Sequence, residues 1–207
     1  VAIPLHEVRR ADRRVIFRVR ALESAFGDAL ELLSRLLLES QYSDAARLSD
    51  LVKEIRSGLS GSIIPGGHQY AALRAGRAFS VASCYEEEWR GASQLLYTNG
   101  LAAGEEGAQT GETLSRIGEQ VIRQGNLCLN VTGARDAITA ALPAIDRLVA
   151  SLPQGGFSSS AADPFPAEFP AAESLIVPAN VGYVAAACRG SRLGTPEYVH
   201  EQVLAHI

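Results

Sequence analysis

Phe26, Leu30, Leu33 and Leu37 recur at spacings of three and four, the stripe of an amphipathic helix, and this periodicity constrains the chain more than any other feature. The stripe returns at Leu48, Leu51, Val52, Ile55 and Leu59, at Leu114, Ile117 and Val121, and at Ile138, Ala141, Ile145, Leu148 and Val149. Helices are predicted over residues 24–39, from a cap at Ser43 until Gly58 and Gly61 weaken the pattern, and over 112–124 with Gly125 as the C-cap. A fourth follows Thr132, with Pro143 requiring a kink or a late start. The first two are expected to form an antiparallel pair.

Between these stripes the sequence reads differently. Residues 14–22 alternate charge with Val15, Phe17 and Val19, the period of a half-buried strand. Residues 127–132 form a short β-prone run, and 174–177 and 181–188 read as strands around a turn at Pro178-Ala179-Asn180. Pro65-Gly66-Gly67 punctuates the chain, after which 68–88 is read as one helix or two; helix continues through Tyr97 and loosens near Gly104 and Gly107. Residues 154–172, with Gly155-Gly156, three serines and Pro164, Pro166 and Pro170, have the composition of a linker, and a last helix begins at Pro196. The expected class is α+β: a helix-rich domain with an antiparallel sheet, followed by the first strands of a second domain. The expected division is 1–152, a linker at 153–172, and 173–207.

With 207 residues, 47% of them hydrophobic and 20% charged, the chain is long and apolar enough to fold around a sizeable core. A formal charge of -4 gives no electrostatic footprint for nucleic acid. The one basic concentration, Arg9, Arg10, Arg13, Arg14, Arg18 and Arg20, reads either as a solvated strand face or as a surface for an acidic partner. Cys84, Cys128 and Cys188 lack Cys-x-x-Cys spacing and read as three reduced, mostly buried thiols, which suggests a reducing, cytoplasmic setting. No apolar run approaches membrane-spanning length, so a soluble protein without membrane contact is expected. The absence of Met suggests that the sequence starts inside an open reading frame or after processing.

Zinc peptidases need two His ligands one helical turn apart, and His200-Glu201-Gln202-Val203-Leu204-Ala205-His206 misses that spacing. Six residues on a helix turn through about 600°, leaving the two imidazoles about 120° apart. No metal site and no catalytic residue is assigned. His68, Tyr70, Arg74 and Arg77 form a polar cluster with the two arginines at spacing three. It reads either as a ligand-facing surface able to take a carboxylate or as part of an ion network with Glu86-Glu87-Glu88 on a neighbouring helix. No Gly-x-Ser-x-Gly elbow and no phosphate loop is present.

The stretch Ser62-Ile63-Ile64-Pro65-Gly66-Gly67-His68-Gln69-Tyr70-Ala71-Ala72-Leu73-Arg74-Ala75-Gly76-Arg77 resembles a helix start in the insulinase/pitrilysin family of zinc metallopeptidases, in its presequence-protease subfamily. Tyr85, Glu88, Gly91 and Gln94 continue the resemblance, as do residues 126–133 and 177–189. The resemblance implies incomplete insulinase-type α/β domains: residues 1–152 in the third of four, truncated at its start, and 173–207 at the beginning of the fourth. It also implies a zinc-dependent parent that encloses unfolded peptides, with the zinc ligands in a domain this sequence does not contain. The expected role is a non-catalytic chamber-wall portion, inactive alone, with no cofactor of its own. Its partners would be the parent's remaining domains and the peptide substrate, and the isolated piece could form a dimer. Two other readings stay open: a free-standing helical interaction domain, and a catalytically silent homologue acting as a scaffold.

Overall fold

The computed structural model describes residues 2–4, 11–103, 107–156, 168–177, 180–191 and 194–205. Two short strands, β1 (Ala2–Pro4) and β2 (Ala11–Arg13), pair antiparallel with Ala2 opposite Arg13 and Pro4 opposite Ala11. Helices follow as α1 (Phe26–Leu38), α2 (Ala45–Gly76), α3 (Val81–Arg90), α4 (Ala92–Ala103), α5 (Gly107–Val121), α6 (Arg135–Ser151) and α7 (Pro196–Leu204). The chain divides into two compact units, the first comprising Val1–Arg14, Arg56–Asn99 and Ala162–Ile207, the second Val15–Ile55 and Gly100–Ala161.

In the second unit α1 packs against α6, and the stripes explain why. Leu30 meets Ile145 and Leu148 in a buried core, ringed by Phe26, Leu33, Ala141 and Val149. The expected partner of α1 was the following helix, but its main contact lies more than a hundred residues on. The cap of α2 is Asp44 rather than Ser43: its Oδ1 accepts from Arg47 N at 2.9 Å. At the end of α5 the amide of Asn126 donates to the carbonyls of Gln120 and Val121 at 3.0 and 3.1 Å, taking the role expected of Gly125. Gly125 serves another purpose. Its N–H donates to Gly155 O at 2.8 Å, and a Cβ there would lie 2.8 Å from that same oxygen.

In the first unit the β1–β2 pair lies against α3. Ser80 caps α3 by accepting from Ser83 N at 3.0 Å, and the turn that follows buries Val81, Ala82 and Cys84. Tyr85 stacks on Trp89 with centroids 5.3 Å apart, and the Arg13 guanidinium sits over the Tyr85 ring. Among the residues of 168–191 that are described, attachment to α2 comes through side chains. Tyr183 packs its ring on Gly67 and donates its hydroxyl to Ile64 O.

The α+β expectation is overturned. The described residues are mostly helical, and their strand content is limited to three residues paired with three. Residues 14–22, read as a half-buried strand, carry no regular structure, and Val15, Phe17 and Leu22 are exposed at 64%, 48% and 79%. Residues 127–132, 174–177 and 181–188 likewise have neither helix nor strand. Alternation tells which side chains would share a face but says nothing about whether a neighbouring strand is there to pair. The Pro65-Gly66-Gly67 break is also absent, since α2 runs through it for 32 residues. Pro65 removes one backbone hydrogen bond, and Gly67 is where the Tyr183 ring approaches too closely for any Cβ. Pro143 likewise lies inside α6. Of the thiols, Cys84 is buried, whereas Cys128 and Cys188 are exposed rather than buried as expected. The linker expected at 153–172 falls largely on 157–167, outside the described residues.

Candidate functional site

The last turn of α2, the inward face of α3 and the first turn of α4 bring together a buried charged cluster. Arg74 lies in the final turn of α2 and Arg77 one residue past its end, where cations suit the negative helix terminus. On α3, Cys84 and Glu87 occupy the inward stripe at spacing three, so Glu87 points where an apolar side chain would normally go. Glu87 is only 1% exposed and accepts from Arg74 Nη1 at 2.9 Å, Ser93 N at 3.1 Å and Ser93 Oγ at 2.7 Å. A buried carboxylate without such partners would be strongly disfavoured.

Glu173 completes the cluster from the other side. Its two oxygens accept from Arg74 Nη2 at 2.6 Å, Arg74 Nε at 2.8 Å and Arg77 Nη2 at 2.9 Å. The ring of Phe169 lies 5.1 Å from the Arg77 guanidinium carbon, a cation–π contact. The bond to Glu173 is the chief cause that raises the Arg74 pKa above its ordinary value; burial opposes it, and Glu87 adds to it. For Glu87 burial works against the charge, but the Ser93 hydroxyl and Arg74 outweigh it and hold the carboxyl below its usual range. Arg74 lowers Glu173 in the same direction. Burial, with Glu88 and Glu87 nearby, pushes the Cys84 thiol up, which makes it a poor nucleophile.

These directions set a pH dependence. A carboxyl whose folded pKa is depressed contributes stability above its unfolded value, roughly 4.3, and loses it as pH falls through the folded value. Urea titrations at decreasing pH should therefore show wild type losing more stability below about pH 4.3 than an E87Q/E173Q double variant, which lacks both titrating groups. Equal slopes for the two proteins in that window would show that neither carboxyl is depressed.

The four residues singled out from sequence do not form one site. Arg74 and Arg77 meet on Glu173. Tyr70 instead exchanges a 2.6 Å hydrogen bond with Ser62 and lines a cleft of about 350 Å³ with Leu73, Glu86 and Arg90, while His68 is exposed. Of the three consecutive glutamates, Glu87 reaches Arg74, and the Cys84–Glu87 helical spacing was the signal that could have selected it. Glu173, Ser93 and Phe169 were missed; no spacing rule joins a carboxylate to arginines 96 and 99 residues away. Among the described residues no group of three His, Cys, Asp or Glu side chains is placed to hold a metal. His200 is exposed on α7, and His206 lies outside the described residues. The described residues thus offer no donor set that fits the zinc of the resembling family. No helix among them is long and apolar enough to cross a membrane.

Comparison with known proteins agrees with the family resemblance. Residues 4–101, just under half of the chain, match the family model for the associated region of peptidases in metallopeptidase family 16, subfamily C. This part of the chain is similar to that peptidase-associated region. Among curated proteins, the mitochondrial presequence protease of Xenopus tropicalis is 26% identical over 141 residues, 68% of this chain and 14% of that protein. The chloroplastic/mitochondrial presequence protease 1 of Arabidopsis thaliana is 23% identical over 174 residues, 83% of this chain and 16% of that protein. Protein HypA of Clostridium perfringens (strain 13 / Type A) is 20% identical over 117 residues, 56% of this chain and 12% of that protein. The chain thus spans 12–16% of the length of these relatives. Two of them carry organellar names, which lend no support to a cytoplasmic setting.

Proposed function

We propose that this chain is a non-catalytic, chamber-wall portion of a zinc metalloendopeptidase that degrades unfolded peptides. The observation that carries the reading is the match of residues 4–101 to a peptidase-associated region rather than to a catalytic one. Alignment with two presequence proteases over 68% and 83% of the chain supports it. In this reading residues 1–152 belong to a third peptidase-like domain, 153–172 to a linker, and 173–207 to the start of the last domain. The catalytic zinc and its ligands belong to another domain of the parent. The chain's partners are those remaining domains and the enclosed peptide, with His68, Tyr70 and Arg74 of α2 and Arg77 just past its end facing the peptide.

Two measurements test the proposal. The purified chain should bind no stoichiometric zinc and should leave a fluorogenic unfolded peptide intact; one zinc per chain with chelator-sensitive cleavage would overturn it. The reading frame around the chain should encode His-x-x-Glu-His upstream, the inverted zinc motif. A start codon immediately before Val1 would instead favour a free-standing interaction domain.

A further inference from the structure

The two carboxylates that share Arg74 are held in very different ways. Glu87 is 1% exposed, sits on the inward face of α3, and is locked by Ser93 through both its backbone N–H and its hydroxyl. It orients the Arg74 guanidinium through Nη1 and leaves Nε and Nη2 pointing the other way. Glu173 takes that second edge, the paired donors that match a carboxylate, together with Arg77 Nη2 as a third donor. Its side chain is 29% exposed, and residues 168–177 around it have neither helix nor strand. Glu87 is a fixture of the fold, and Glu173 is a replaceable occupant.

Charge leads to the same conclusion. Without Glu173 the cluster contains two guanidinium cations and one carboxylate, a net positive charge at a site where the arginine side chains are 18% and 11% exposed. Such a site attracts an anion strongly, because water screens it poorly and the donors are already arranged. Phe169, four residues before Glu173, adds an aromatic face against Arg77.

We propose that Arg74 and Arg77 form a carboxylate-recognition site, filled here by Glu173 of the same chain, that accepts in its place an acidic extended peptide bearing an aromatic residue four positions before the acid. The segment 168–177 then acts as an internal competitor. A tethered carboxylate has an effective concentration in the millimolar range, so an external peptide gains access only when it exceeds that level or the segment is displaced. The site stands on this chain's own geometry and does not depend on the peptidase reading.

The probe is the fluorescein-labelled peptide Glu-Phe-Pro-Ala-Ala-Glu-Ser-Leu-Ile-Val, the sequence of residues 168–177, titrated by anisotropy against the full chain. Emptying the site with E173A should tighten peptide binding at least about tenfold over wild type, because the internal competitor is gone. Adding R77A to E173A, or replacing the peptide's second Glu by Gln, should reverse most of that gain. Equal binding by wild type and E173A, or binding indifferent to the Gln peptide or to R77A, overturns the proposal. A thermal melt checks that E173A folds; if it does not, E173Q, which keeps the side-chain shape, replaces it under the same criteria.

Discussion

Replacing Glu87 by alanine is expected to destabilise the first unit by about 3–5 kcal/mol, the usual cost of removing one partner from a buried charge pair. The carboxylate is among the least exposed side chains described, and it answers three donors. Its loss leaves Arg74 Nη1 with only the Ser93 hydroxyl as acceptor and leaves the Ser93 N–H and hydroxyl without theirs, in a space water does not fill easily. E87Q keeps an oxygen for Ser93 but removes the charge facing Arg74, so it should cost less, about 1.5–3 kcal/mol. The single Trp of the chain, Trp89, lies two residues along α3 and stacks on Tyr85, so its fluorescence during urea unfolding reports on this unit. A loss under about 1 kcal/mol for E87A would mean that Arg74 regains water or Glu173 alone suffices to hold it.

The position of Glu87 illustrates what a sequence discloses and what it hides. Helical stripes were legible because their period is a property of the chain itself: Phe26, Leu30 and Leu33 on α1, and Ala141, Ile145 and Leu148 on α6, were identifiable before any partner was known. That these two stripes face each other was not legible, because pairing across more than a hundred residues leaves no local mark. The expected strands failed for the same reason. Val15, Phe17 and Val19 alternate as a strand would, yet pairing is a property of two segments, and among the described residues no strand pairs with 14–22. At Pro65 the local rule was overridden instead, since Gly67 serves contact with Tyr183 and α2 continues past both. Within the site, Arg74 and Arg77 were legible as a spaced pair and Glu87 as one of three adjacent candidates. Glu173, lying beyond a Pro-rich stretch, required the fold to bring it back.

The largest effect in the second unit should come from Leu148→Ala, about 2–5 kcal/mol, from lost burial plus the cavity left between α1 and α6. Leu148 is 5% exposed and meets Leu30 and Ile145, which are similarly enclosed. Neighbours of this kind cannot collapse far, because α1 and α6 are each a single helix whose remaining contacts hold their spacing. Leu142 on the same helix is 48% exposed, and Leu142→Ala should change stability by no more than about 0.5 kcal/mol. Helix propensity separates the two variants by almost nothing, since each replaces Leu by Ala within α6, so the difference in their urea midpoints isolates burial. Similar midpoints for both would show that α1 and α6 do not form the core of this unit. A cost confined to Leu148 would show that the amphipathic stripe, the first feature legible in the chain, also holds the unit together.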